Sequence, residues 1–166
     1  DGIHYETFNT SGGIGSLAES MVSKVKSLSY QTIRYPGHRD IMKTLLHDLR
    51  LKDRRDLLKD VLENAVPATL QDVVLIFVTV SGKKNRRLIQ ETYANKIYGK
   101  PIKGVQRSAI QVTTASSICA VLDLLHNGQI PTQGFVIQEE IDLDLFLGNR
   151  FGRVYAAQTH AKGCSH

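Results

Sequence analysis

Three short segments of this 166-residue chain gather groups that hold anions. Asn9-Thr10-Ser11-Gly12-Gly13 stands ahead of a helical pattern, and Arg34-Tyr35-Pro36-Gly37-His38 ends one element and opens another. Gln111-Val112-Thr113-Thr114-Ala115-Ser116 lies in the first turns of a long apolar helix. Each joins hydroxyl, amide or guanidinium donors to a helix start, where unpaired N–H groups and the macrodipole favour negative charge. Arg34 adds a planar fork that fits a carboxylate. His38 carries an imidazole, a group that can orient a ligand or move a proton. The expected composite is a site for a small acid bearing several carboxylates. His38 is its candidate catalytic group, and Asn9, Thr10, Gly12, Gly13, Arg34, Tyr35, Thr113 and Thr114 are its candidate binding groups. Taken singly, the same residues serve as helix caps, a salt-bridge partner and back-bonding helix hydroxyls.

A competing pattern crosses the first segment. Gly13-Ile14-Gly15-Ser16-Leu17-Ala18 matches the G-x-G-x-x-A spacing that cradles a dinucleotide pyrophosphate. That fingerprint needs a buried Val/Ile-rich strand immediately before its first glycine. Here Ile3 to Ser11 is polar-interrupted and would turn His4 and Glu6 toward a core. The acidic residue required about 20 positions on is also missing, and Arg34 stands at the end of the next strand. The expectation is that the glycines admit some other close approach. No metal is expected either: the six histidines make no H-E-x-x-H or paired spacing, and Cys164-Ser165-His166 is isolated. Nor is there a Gly-x-Ser-x-Gly elbow.

These groups need elements to position them. Leu17, Ala18, Met21, Val22 and Val25 form a helical stripe within 14–25, and 28–35 reads as a strand ended by Pro36-Gly37. Met42, Leu45, Leu46 and Leu49 mark a second helix. Asp53 is placed to cap a third, which stops before Pro67. Asp72 to Val80 is nearly all apolar and should be covered on both faces. A turn over 81–85 leads into an alternating strand, Arg86 to Tyr98, fit for an edge or interface, with Ile89, Tyr93 and Ile97 on one side. Gly99 to Gly104 reads as a connector. The long helix spans 108–126 with Ile118, Val121, Leu122 and Leu125 toward the core, a last strand covers 134–141, and Asp142 caps a short helix. The class expected is α+β, a mixed and largely antiparallel sheet with helices packed against it. One domain is expected over 1–155, followed by a flexible tail at 156–166.

Composition fits a soluble domain, with 42% hydrophobic and 22% charged residues. The net charge of +5 rests mainly on Arg50, Lys52, Arg54, Arg55 and on Lys83, Lys84, Arg86, Arg87. These flank a helix junction and a turn without a stacking aromatic stripe, so no nucleic-acid partner is expected. The longest apolar run, Val73 to Val78, is too short to span a bilayer, and no secretory signal is evident. Cys119 reads as a small core residue and Cys164 as part of a polar tail, with no disulfide framework between them. A cytoplasmic, membrane-free protein is the expectation.

FNTSGGIGSLAES, TIRYPGH, ETYANKIYG, SAIQVTTASSICAVLDLL and FLGNRFGRVY closely resemble the C-terminal domain of the saccharopine dehydrogenase family, over nearly all of the chain to about Tyr155. The resemblance implies the substrate-binding and dimerisation domain of a two-domain, Rossmann-type oxidoreductase acting on the CH–NH group of an amino-acid adduct in lysine metabolism. It implies NAD or NADP on an N-terminal Rossmann domain of the same parent chain and none on this domain alone. It also implies an amino-acid-type polycarboxylate substrate and a homodimer. In that picture Arg34 clamps a carboxylate, Asn9, Thr10, Thr113 and Thr114 donate hydrogen bonds, and His38 orients substrate or moves a proton. The other reading is a non-catalytic module that binds a partner or regulates one.

Overall fold

Residues with positive φ break the first helical stripe. Gly15 (φ 55°) and Ser23 (φ 63°) both lie in the left-handed region, which no α-helix tolerates. The helix expected over 14–25 is therefore only α1, Leu17–Ser20. The computed structural model describes residues 2–10 and 13–156. Gly12, Cys164 and the expected tail from 157 onward lie outside the described residues. Within the span expected as one domain the chain forms two compact units, Asp1–Ala68 and Thr69–His166.

In the first unit β1 (Glu6–Phe8) pairs antiparallel with β2 (Thr32–Arg34), Glu6 opposite Arg34 and Phe8 opposite Thr32. The strand expected over 28–35 is thus shorter, because β1 offers only three partners and Pro36 has no N–H to donate. Gly37 (φ 90°) turns the chain into α2 (His38–Lys43), which continues as a π-helical turn over Thr44–Asp48. Asp53 ends a 3-10 turn, Leu51–Asp53, and does not cap the next helix. Arg54 holds the cap position of α3 (Arg55–Ala65), without a side-chain cap bond. Val66 turns extended before Pro67, as the proline's ring demands. No described residue of this unit is fully buried.

In the second unit β3 (Val73–Lys84) and β4 (Arg87–Tyr98) form a hairpin paired from Val73–Tyr98 to Lys84–Arg87. The turn is Asn85-Arg86, both at positive φ (53° and 65°), which suits the right-handed twist of the strands. The strand thus runs through the expected turn at 81–84. Glu91, Tyr93, Asn95 and Ile97 share a face with Val80, Val78, Ile76 and Val74, and Ile97 and Asn95 are its buried members. The expected cover on both faces of β3 is absent, and Phe77, Val78 and Val80 are exposed. A two-stranded ladder has no further strand to cover its far end. The expected connector is a second hairpin, β5 (Lys100–Ile102) with β6 (Val105–Arg107), turning on Lys103-Gly104. Gly99 is required before it, since a Cβ would stand 2.6 Å from the Arg107 carbonyl oxygen and 2.7 Å from that of Leu70.

Ser108 caps α4 (Ala109–His126) in a reciprocal box with Gln111. Asp72 adds a carboxylate, accepting from the N–H of Ala109 (2.5 Å) and Ile110 (3.1 Å). The face of α4 turned inward is Ala109, Val112, Thr113, Ala120 and Leu124, so the expected core face is wrong in phase. Ile118 and Leu122 are 63% and 60% exposed, and Leu125 is also exposed. The small residues permit closer packing than the large ones would. Residues 134–141 form no strand. Gly134 has a positive φ, and only a 3-10 turn, Gln138–Glu140, follows. Asp142 does cap α5 (Leu143–Gly148), accepting from the Leu145 N–H at 2.9 Å. A last 3-10 turn covers Gly152–Tyr155. The class is α+β with antiparallel pairing, its strands distributed over three two-stranded ladders.

Burial pushes the Asp72 carboxyl up, but the N–H groups of Ala109 and Ile110 outweigh it and hold Asp72 below the usual carboxylate range. A group with a depressed folded-state pKa stabilises above its unfolded value, and that contribution goes as pH falls through the folded value. Asp72→Ala is therefore expected to cost about 1–2 kcal/mol near neutral pH, because it strips acceptors from a helix start whose Ala109 is fully buried. Denaturant unfolding should show the gap between parent and variant narrowing below about pH 4. A constant gap would remove the charge from the explanation.

Candidate functional site

Register places Glu6, Phe8, Thr32 and Arg34 on one face of the β1–β2 ladder. Thr10 joins them through its hydroxyl, 2.7 Å from that of Thr32. His38, first residue of α2, stacks its ring on Phe8 with centroids 6.0 Å apart and planes 15° from parallel. Thr10, Arg34 and His38, three of the residues singled out from sequence, thus border one small surface. Tyr35 is exposed and pairs its ring with Tyr5 at 5.6 Å. Asn9 is exposed and follows β1 directly.

Glu6 decides how this surface is charged. Its carboxylate accepts from the N–H of Arg39 (2.8 Å) and Gly37 (3.1 Å), and these bonds hold it below the usual carboxylate range. The start of α2, read from sequence as open to a ligand anion, is thereby occupied by the protein's own carboxylate. Arg34, directly across the ladder, is left without Glu6 as a partner. Its guanidinium donates to the Ile33 carbonyl at 2.8 Å, and no acid among the described residues lies within ion-pair distance of it. Sequence reasoning missed Glu6, Phe8 and Thr32. A usable signal existed for Glu6: Gly37 caps a helix but has no side chain, so an acceptor had to come from elsewhere.

Gly13 serves packing. A Cβ there would overlap the Tyr30 ring, so the close approach anticipated from the glycines is to that side chain. The G-x-G-x-x-A stretch leads into a four-residue helix and follows an antiparallel three-residue strand. These residues do not fit a dinucleotide, which needs a parallel strand running into a full helix.

In the second unit Thr113 is buried and donates its hydroxyl to the Ala109 carbonyl at 2.9 Å, the back-bonding role. Its own carbonyl accepts from the Tyr155 hydroxyl at 2.8 Å. Thr114 faces outward into an open apolar groove of about 760 Å³, together with Ile102, Ile110, Ile118, Cys119 and Phe151. Cys119 is half-buried on its wall.

The FLGNRFGRVY segment closes this unit. Asp123 accepts from Arg150 (2.6 Å) and Asn149 (2.8 Å), which lower its pKa, and Arg150 lies over the Phe151 ring. Tyr93 and Asn95 donate to the Tyr155 carbonyl.

Among the described residues no group of histidine, cysteine or carboxylate side chains is arranged to hold a metal. Of the described helices α4 alone, 18 residues with mean hydropathy 1.3, has the length and composition to cross a membrane. Its capping by Ser108 and Asp72 and its bond to Tyr155 make it the central helix of its unit. No family model matches the chain, and no solved structure matches it.

Proposed function

We propose that this chain is the substrate-binding and dimerisation domain of a saccharopine dehydrogenase-like oxidoreductase, acting on the CH–NH group of an amino-acid adduct that carries several carboxylates. The observation that carries the reading is Arg34, an exposed guanidinium without an acid partner among the described residues, set on one face with the Thr10–Thr32 hydroxyl pair and the Phe8–His38 stack. In this reading Arg34 clamps a substrate carboxylate through its fork. Thr10 and Asn9 donate hydrogen bonds, and His38, steadied on Phe8, orients the substrate or moves a proton. NAD or NADP belongs to a Rossmann domain of the parent protein, a cytoplasmic homodimer.

The test joins three measurements. The 166-residue chain should show no saturable NAD(P)H binding in the micromolar range by calorimetry. The parent protein should reduce NAD(P) with saccharopine-type secondary amines and sediment as a dimer. Micromolar cofactor binding by the chain alone, or a cofactor-competent parent inert toward every such amine, would overturn the proposal.

A second reading, a module that binds a partner without catalysis, draws on the apolar groove along α4. Its exposed apolar walls, Ile102, Ile110 and Ile118 among them, would receive apolar side chains of such a partner.

A further inference from the structure

A smaller cavity of the second unit differs in chemistry from the groove on α4. It measures about 300 Å³ and lies between the end of β4, the Gly99-Lys100 step and the 3-10 turn at Arg153. Its lining includes three cationic residues, Lys96, Lys100 and Arg153, and no acidic residue. Lys100 and Arg153 are exposed, and neither lies within ion-pair distance of an acid among the described residues.

The floor is built more firmly than a surface dimple. Asn95, only 9% exposed, lines it, and its side-chain N–H groups are committed to the Tyr93 hydroxyl (3.2 Å) and the Tyr155 carbonyl (3.2 Å). Gly99 is held by the close approach of the Leu70 and Arg107 carbonyls. The wall opposite is the 3-10 turn, closed by the N–H of Ala156 on the Arg153 carbonyl at 3.2 Å. Two cations are thus set on separate, internally braced segments around one small space.

We propose that this cavity binds a phosphate group, either free phosphate or a phosphate monoester. Lys100 and Arg153, with no acid in the lining, favour an anionic occupant over an apolar or cationic one. Arg153 offers a fork for two oxygens and Lys100 a point charge for a third. A tetrahedral oxyanion presents oxygens in both directions, whereas a single carboxylate presents two in one plane. The inference stands apart from the saccharopine reading and uses none of its candidate substrate-binding or catalytic residues.

The test titrates the full chain, at constant ionic strength, with inorganic phosphate and separately with methyl phosphate, following the Gly99 backbone and Asn95 side-chain amide signals by NMR. Saturable shifts are expected, and stronger binding of one probe tells free phosphate from a monoester. Arg153→Gln and Lys100→Gln should each weaken binding about tenfold or more. Both side chains are exposed, so thermal melts should be unchanged. Arg153→Lys, which keeps the charge and loses the fork, should fall between. Shifts that never saturate, or variants that bind phosphate like the parent, would overturn the assignment.

Discussion

Gly152→Ala is expected to destabilise the second unit by about 3 kcal/mol or more, while Gly148→Ala, four residues away, leaves it unchanged or slightly firmer. At Gly152 a Cβ would overlap the Phe146 carbonyl oxygen and stand 2.9 Å from its carbonyl carbon. Those are backbone atoms of α5, and α5 is anchored by the Asp142 cap and by Asn149 on Asp123. Relief therefore requires moving the helix or the 3-10 turn, and forced core rearrangements cost about 1–3 kcal/mol or more. Moving the turn also disturbs the Tyr155 hydroxyl on Thr113 and the Tyr93 and Asn95 donors on the Tyr155 carbonyl. Gly148 has open space where its Cβ would lie and closes a helix, where alanine gains up to about 1 kcal/mol. Calorimetry of the two variants reads the contrast as a drop of roughly 10 °C or more in Tm against almost none. Equal, small effects would show that the unit yields at Gly152 and that this glycine is not a packing requirement.

The same segment shows why the site was less legible than the fold. Local signals were readable: Ser108 with Gln111, Asp142 before an apolar run, the alternation of β4 and the α+β mixture all depend on neighbours within a few residues. The inward face of α4 was not, because Ile110, Val112, Ile118, Val121, Leu122 and Leu124 surround the helix with apolar side chains and no single stripe stands out. What turns inward is set by small residues, Ala109 and Ala120, against β3 and β4. Residues 134–141 looked like a strand by composition, yet Gly134 turns the chain at positive φ and Gln138–Glu140 winds into a 3-10 turn. At the site, Arg34 and His38 are close in sequence and their proximity was readable. The acceptors at the two helix starts were not: Glu6 acts 31 residues from Gly37 and Asp72 acts 37 residues from Ala109. Those carboxylates occupy helix starts that the residue pattern alone offers to a ligand, and this narrows the candidate anion-holding surface of the first unit to Arg34 and its neighbours.

On the proposed function, Arg34→Lys in the full-length protein is expected to lower kcat/KM for a polycarboxylate substrate roughly ten- to a hundred-fold, with folding almost unchanged. Lysine keeps the charge but presents a single ammonium in place of the fork, so the loss measures bidentate recognition. A charge-assisted hydrogen bond contributes about 1.5–3 kcal/mol, which sets that range. Folding is spared because Arg34 is exposed and, among the described residues, its guanidinium bonds just to the adjacent Ile33 carbonyl. Glu6, its cross-strand neighbour, is held by Arg39 and Gly37 and is not waiting for it. A purely structural arginine would give the opposite pattern, with lowered Tm and near-normal kinetics in the folded fraction. Glu6→Gln separates the two further. It should weaken the start of α2 and leave Arg34 with its charge and its fork, so it should move stability more than substrate affinity. If Arg34→Lys leaves kcat/KM intact while lowering Tm, Arg34 is a structural residue and the proposed carboxylate clamp is overturned.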